Sequence, residues 1–113
     1  MSRTQEELFA EIESQINNNE VVLYMKGNKD MPMCGFSATV VAILKKLNVE
    51  FYDVNILEDQ EIREAIKAYT DWPTIPQLYV KGEFVGGCDI VKEMYQDGEL
   101  MELLKQKEVS FSE

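Results

Sequence analysis

The 113-residue sequence predicts an α/β fold, a central mixed sheet of four strands flanked by helices. Three observations carry this expectation. Two strand-like apolar runs, VVLYM at Val21–Met25 and EFYDVNI at residues 50–56, stand either side of a helical pattern, which makes them a parallel pair with a right-handed crossover. Two later runs, QLYV and EFVG, are joined by Lys81-Gly82 alone, as in an antiparallel hairpin. The remaining apolar residues recur at helical spacing. The order α-β-α-β-α-β-β-α is expected to form one domain over residues 1–113, with no internal repeat and no linker.

The first helix rests on Leu8, Ile12 and Ile16 at four-residue spacing, behind a capping box of Thr4 and Glu7. The polar run Asn17–Asn19 closes it. VVLYM is nearly continuously apolar, the pattern of a strand buried on both faces. KGNKDMP reads as a loop, punctuated by Gly27 and Pro32. A second helix starts at Cys34 or Gly35 and runs to about Leu47. Its apolar residues are Val40, Val41, Ile43, Leu44 and Leu47, and Lys45 and Lys46 in its last turn suit the helix dipole. A third, DQEIREAIKAY, has Asp59 as its cap and Ile62, Ile66 and Tyr69 on one face. DWPTIP is a turn. CDIVKEMYQDG and ELMELLKQK are two final helical segments parted at Gly98, and the last six residues, EVSFSE, are expected to fray.

Composition narrows the function. A hydrophobic fraction of 45% and a charged fraction of 28% are ordinary for a soluble globular chain. Twenty-one acidic against eleven basic residues leave a net charge of −10, which speaks against nucleic acid and against an anionic membrane surface. An anionic ligand needs a local basic pocket on such a chain. With no histidine there is no Ser-His or Cys-His pair and no His-containing zinc site. Two cysteines are too few for the disulfide framework of a small secreted protein. The acidic N-terminal stretch has neither a secretory nor a transit pattern, and no apolar run is long enough to span a membrane. The expected location is the cytoplasm.

Cys34 follows a strand and a loop and opens a helix. The free N–H groups and dipole of a helix start stabilise an anion, and a cysteine there has its pKa lowered to about 3.5–7.5 from about 8.5. Lys26, at the end of the preceding strand, is a second source of positive charge. Cys34 is therefore a candidate nucleophile or soft-metal ligand, against the plainer reading of a small hydrophobe at a helix start. Gly35 leaves room beside its sulfur. Pro76, just before a strand, cannot donate to a ladder; a cis bond in the turn and a trans bond at a sheet edge both account for it.

CGFS at Cys34–Ser37, WPTIPQLYVKGEFVGG at Trp72–Gly87 and CDI at Cys88–Ile90 together resemble the monothiol glutaredoxins of the single-domain type. The likeness covers nearly the whole chain. It departs from the family's usual pattern at Asn28, where threonine commonly follows the Lys-Gly pair, and in Met31 and Met33 around Pro32. The resemblance implies a thioredoxin-like fold, with Pro76 cis and facing Cys34. It also implies a glutathione site. Lys26, helped by Arg63, would contact the glycine carboxylate, and Lys67 would assist. The Ile75 backbone would pair with the cysteinyl part, and Cys88 and Asp89 would hold the γ-glutamyl end, with Gly87 leaving space. Taken one by one, Lys26, Arg63 and Lys67 are equally solvated surface charges, Asp89 equally a helix cap and Trp72 equally a packing residue.

Ser37 stands where a dithiol enzyme keeps the thiol that resolves its mixed disulfide. Three readings follow. In the first, Cys34 from two copies and two glutathione thiols ligate a 2Fe–2S cluster, giving a homodimer that carries the cluster to acceptor apo-proteins, with a BolA-like protein able to replace one copy. A variant uses Cys34 and Cys88 of both chains without glutathione. In the second, Cys34 is the catalytic thiol of a weak glutathione-dependent oxidoreductase that removes glutathione from proteins. In the third, Cys34 and Cys88 form a regulatory disulfide, which requires their Cα atoms within about 7 Å. The first is the expectation adopted here.

Overall fold

The structure, a computed structural model, describes residues 2–112. Helix α1, Gln5–Asn18, begins with the capping box in place: Thr4 Oγ1 accepts the Glu7 N–H at 3.1 Å and Glu7 Oε1 accepts the Thr4 N–H at 2.9 Å. Strand β1, Val21–Met25, is buried at every position. A short hairpin, β2 Gly27–Asn28 and β3 Met31–Pro32, leads into α2, Gly35–Lys46, whose N-cap is Cys34. Then come β4, Tyr52–Asn55; α3, Gln60–Thr70; β5, Gln77–Val80; β6, Glu83–Gly86; α4, Cys88–Asp97; and α5, Glu99–Gln106.

The main sheet runs β4-β1-β5-β6. β1 is parallel to β4 and antiparallel to β5, and β5 is antiparallel to β6. The mixed four-stranded sheet is thus the one the sequence predicts. Each face carries its own core, because side chains alternate along a strand. Val21, Leu23 and Met25 of β1 join Val40, Leu44, Val91, Leu100 and Leu104 from α2, α4 and α5. Val22 and Tyr24 face the other way, onto Leu8, Ile12 and Ile16 of α1 and Ile62 and Ile66 of α3. This is why VVLYM is apolar without alternation.

Three details differ from the sequence expectation. The KGNKDMP stretch is an ordered hairpin and not an open loop. Asn28 Oδ1 accepts the N–H groups of Asp30 and Met31, both at 2.9 Å, and closes the turn. Gly27 permits it: its φ is +88°, and a Cβ there would stand 2.4 Å from the Met31 carbonyl oxygen. The second strand is shorter than EFYDVNI, since only Tyr52–Asn55 pair with β1. The C-terminal residues do not fray. Val109 is buried, Phe111 packs on the core, and the Ser112 N–H donates to the Leu47 carbonyl at 2.8 Å. Burial of Val109 under α2 and α5 offsets the entropy of ordering this segment. Glu113 lies outside the described residues.

Candidate functional site

Cys34 sits at the start of α2 with extended backbone, φ −155° and ψ 139°. No oxygen caps this helix. The N–H of Ser37 is the strongest influence on the thiol and holds its pKa below the ordinary cysteine value. Partial burial opposes this, while the Phe36 N–H, the charge of Lys26 and the Ser37 hydroxyl add to it. The sequence reading of a thiolate favoured by helix start and lysine therefore agrees with the geometry. A side chain at Gly35 would meet no atom within 4 Å, so the space beside the sulfur is open.

Ser37 itself is fully buried. Its Oγ accepts the Lys26 N–H at 3.1 Å, and its hydroxyl is the smallest of the influences that lower the Cys34 pKa. The hydroxyl thus ties the end of β1 to the start of α2.

Beside Cys34 lies a cleft of about 420 Å³. Lys26, Arg63 and Lys67 give it positive charge; Trp72, Pro73, Thr74, Ile75 and Pro76 form one wall; Phe36, Cys88, Asp89 and Ile90 complete it. Lys26, Arg63, Ile75, Cys88 and Asp89, read from the sequence as ligand-binding, therefore share one cavity, from residues up to 63 positions apart. Among the described residues Lys26 and Arg63 form no ion pair, and the Lys67–Glu64 contact is long at 3.9 Å. The cations of the cleft are free for an anion. The Ile75–Pro76 bond is cis. Ile75 precedes the β5 ladder, whose first paired residue is Gln77.

Asp89 does not cap a helix. The N-cap of α4 is Gly87, with no side-chain cap, so the first N–H groups of α4 are unclaimed by protein side chains at the cleft. Gly87 admits a close approach: a Cβ there would lie 3.2 Å from the Pro76 carbonyl oxygen. Burial raises the Cys88 pKa first, and the charge of Asp89 and of Cys34 raises it further. The two thiols differ in character, and both are free.

Sequence reasoning missed Gln77. It is fully buried, and its Nε2 donates to the carbonyls of Trp72 at 3.1 Å and Thr74 at 3.2 Å. Its Oε1 accepts from Thr70 at 3.2 Å and Tyr79 at 3.3 Å. It pins the cleft wall to α3 and β5. Its one sequence signal is a polar residue opening an otherwise apolar strand. The sequence also did not reveal an apolar collar. Of six large apolar side chains exposed among the described residues, Met31, Met33, Phe36 and Ile90 belong to the hairpin segment before Cys34, the start of α2 or the cleft rim.

The sequence profile of the glutaredoxin family matches residues 21–85. A probable monothiol glutaredoxin 2 of Rickettsia typhi is 62% identical over 96 residues, 85% of this chain and 86% of its own length. The chain belongs to the monothiol glutaredoxin family. A chloroplastic monothiol glutaredoxin S14 of Arabidopsis thaliana is 59% identical over 91 residues, 80% of this chain and 53% of its own length. The solution structure of the reduced apo S14 glutaredoxin of poplar matches with a TM-score of 0.80 at 51% identity, over 90% of this chain and 94% of that one. A monomeric truncated mutant of the Trypanosoma brucei 1-C glutaredoxin 1 matches with a TM-score of 0.85 at 33% identity, over 100% and 99%. The fold is thioredoxin-like. The CGFS motif of this glutaredoxin holds one cysteine, Cys34, with Ser37 at its fourth position. Among the described residues no helix is long and apolar enough to cross a membrane.

Proposed function

We propose that this glutaredoxin carries a 2Fe–2S cluster as cargo, held between two copies by their Cys34 thiolates and by two glutathione thiols, and passes it to acceptor apo-proteins. The observation that carries the reading is the pairing of an acidified Cys34 thiol with a Ser37 that is buried and already bonded to Lys26. The site favours a thiolate and has no neighbour at the resolving position to displace what it binds.

A cluster of this kind needs four thiolate-type ligands. Among the described residues no three Cys, Asp or Glu side chains converge on one point, so one chain cannot fill the set. The cleft suits glutathione as the further ligand. Lys26, Arg63 and Lys67 answer its carboxylates, the start of α4 with Asp89 answers its amino-acid end, and the Ile75 backbone lies outside the ladder at the wall. The apolar collar around Cys34 gives a second copy, a BolA-like protein or an acceptor a face with less repulsion than the acidic remainder of the chain. A reducing compartment such as the cytoplasm keeps the thiols available.

The test is anaerobic cluster reconstitution with and without glutathione, read by visible absorption and by size, on the wild type, Cys34→Ser and Cys88→Ser. A coloured dimer that needs glutathione and Cys34 and survives loss of Cys88 supports the carrier. A cluster that ignores glutathione and needs both cysteines moves all the ligands onto the protein. No cluster under any condition sinks the proposal and leaves a glutathione-dependent oxidoreductase.

A further inference from the structure

The β2–β3 hairpin that delivers Cys34 has two residues a side, too few to hold itself in water. It is held from outside, at its tip. The Lys29 N–H donates to Asp53 Oδ2 at 2.8 Å. The Lys29 ammonium donates to the Phe51 carbonyl and stands 4.5 Å from the centre of the Phe51 ring. Lys45 Nζ donates to the Lys29 carbonyl at 2.8 Å. At the base, Asn55 Oδ1 accepts the Gly27 N–H at 3.0 Å. Phe51, Asp53 and Asn55 belong to β4 or its approach, and none of them lines the cleft.

The hairpin has Lys26 at one end and Cys34 at the other. The Met33 N–H donates to the Lys26 carbonyl at 2.9 Å and closes it directly before the thiol. Anything that fixes the hairpin therefore fixes both the cation and the sulfur relative to the N–H groups of α2. We propose that Lys29 and Asp53 form a positioning latch, which pins the hairpin to β4 and so sets how closely Cys34 is held against the start of α2 and Lys26. The latch acts through Cys34 and stands whether or not a cluster is bound. It also gives Asn28 and Lys29, at the hairpin turn, a role in the chemistry of a thiol they do not touch.

The experiment compares wild type, Asp53→Ala, Asp53→Asn and Lys29→Ala. Cys34 alkylation by iodoacetamide is followed from pH 5 to pH 9 by peptide-resolved mass spectrometry, beside hydrogen exchange at the Met33 amide and the thermal midpoint. Asp53→Asn keeps an oxygen acceptor and is expected to follow the wild type. Asp53→Ala is expected to quicken exchange at Met33 and move the alkylation profile to higher pH, lowering the rate on the acid limb of the profile by about threefold. Lys29→Ala keeps the N–H bond to Asp53 but removes the half-buried ammonium from the Phe51 carbonyl and ring, and is expected to move the profile the same way, so the test survives if Asp53→Ala fails to fold. A lower thermal midpoint with an unmoved Cys34 profile would reduce the contact to a structural one and overturn the proposal. Unchanged exchange at Met33 would overturn it too.

Discussion

The backbone N–H of Lys26 donates to Ser37 Oγ at 3.1 Å, across the junction of β1 and α2, and Ser37 is wholly buried. Ser37→Ala leaves that N–H without a partner. A buried donor left unpaired costs about 1–3 kcal/mol. The same change removes a hydroxyl that favours the Cys34 thiolate, so a lower urea midpoint and a less reactive thiol at pH 7 are expected together. Unchanged values of both would show the link to be incidental.

The two cysteines are expected to separate by pH. The Ser37 N–H leads the influences that lower the Cys34 pKa, whereas burial and then the Asp89 charge raise that of Cys88. The thiolate is the nucleophile, so iodoacetamide labels Cys34 first at neutral pH. Cys34 loses reactivity only as pH falls through its lowered pKa; Cys88 gains it as pH rises toward its raised one. Peptide mapping of the alkylated protein reads the order, and labelling of Cys88 first contradicts it.

Glutathione affinity is expected to depend on the unpaired cations of the cleft. A hydrogen bond to a charged group contributes about 1.5–3 kcal/mol, so Lys26→Gln and Arg63→Gln should each weaken binding about tenfold or more. Calorimetric titration of the reduced protein measures this. Equal affinity in both variants would place the tripeptide elsewhere.

Gln77 makes a prediction of a different kind, because it stands behind the cleft wall and not in its lining. Gln77→Leu strips donors from the Trp72 and Thr74 carbonyls and an acceptor from Tyr79, while the Thr70 hydroxyl keeps the Ile66 carbonyl at 2.8 Å. A loss of about 2 kcal/mol or more in stability is expected. Glutathione binding should weaken as the wall loosens, with Cys34 alkylation unaltered, since that thiol depends on α2 and Lys26.

Arg3 clasps two helices from outside the site. Its guanidinium meets Glu11 and Asp59, each at 2.5 Å, and Glu61 at 3.2 Å. Burial pushes the Asp59 carboxyl up, but Arg3 and the Ile62 N–H outweigh it, and its pKa lies below the usual carboxylate value. The stabilisation is complete above the unfolded pKa of about 3.9 and is lost as pH falls through the lowered folded value. Asp59→Asn keeps the cap and removes the charge, so its deficit against wild type should be present at pH 7 and shrink below about pH 4. Asp59→Ala removes the cap as well and should cost about 1 kcal/mol more. Urea unfolding at pH 7 and pH 3 distinguishes the two terms.

Local chemistry made much of this protein legible in its sequence. Leu8, Ile12 and Ile16 with the Thr4–Glu7 box specify α1, and Lys81-Gly82 specifies the hairpin, because caps, turns and periodicity act over a few residues. Cys34 at a strand-to-helix junction announces an activated thiol for the same reason. Asn28 and Asp30 at a turn carried a hairpin signal, but two-residue strands leave no alternation to read.

Tertiary structure decided what depends on distance in space. Val109 and Phe111 sit in a tail without period, and only the surface left by α2 and α5 makes burying them favourable. Gln77 looks like a break in an apolar strand until Trp72, Thr74, Thr70 and Tyr79 surround it. Lys26, Arg63 and Asp89 have no local feature that marks them as neighbours. Their convergence, and the hold of Asp53 on the hairpin that carries Cys34, arise when β1 pairs with β4 and β5 and brings the starts of α2 and α4 and one side of α3 together at the cleft. The sequence determined the elements and the reactive thiol, since these rest on near neighbours. The cleft and the latch came from packing, where the energy lies in contacts between residues far apart along the chain.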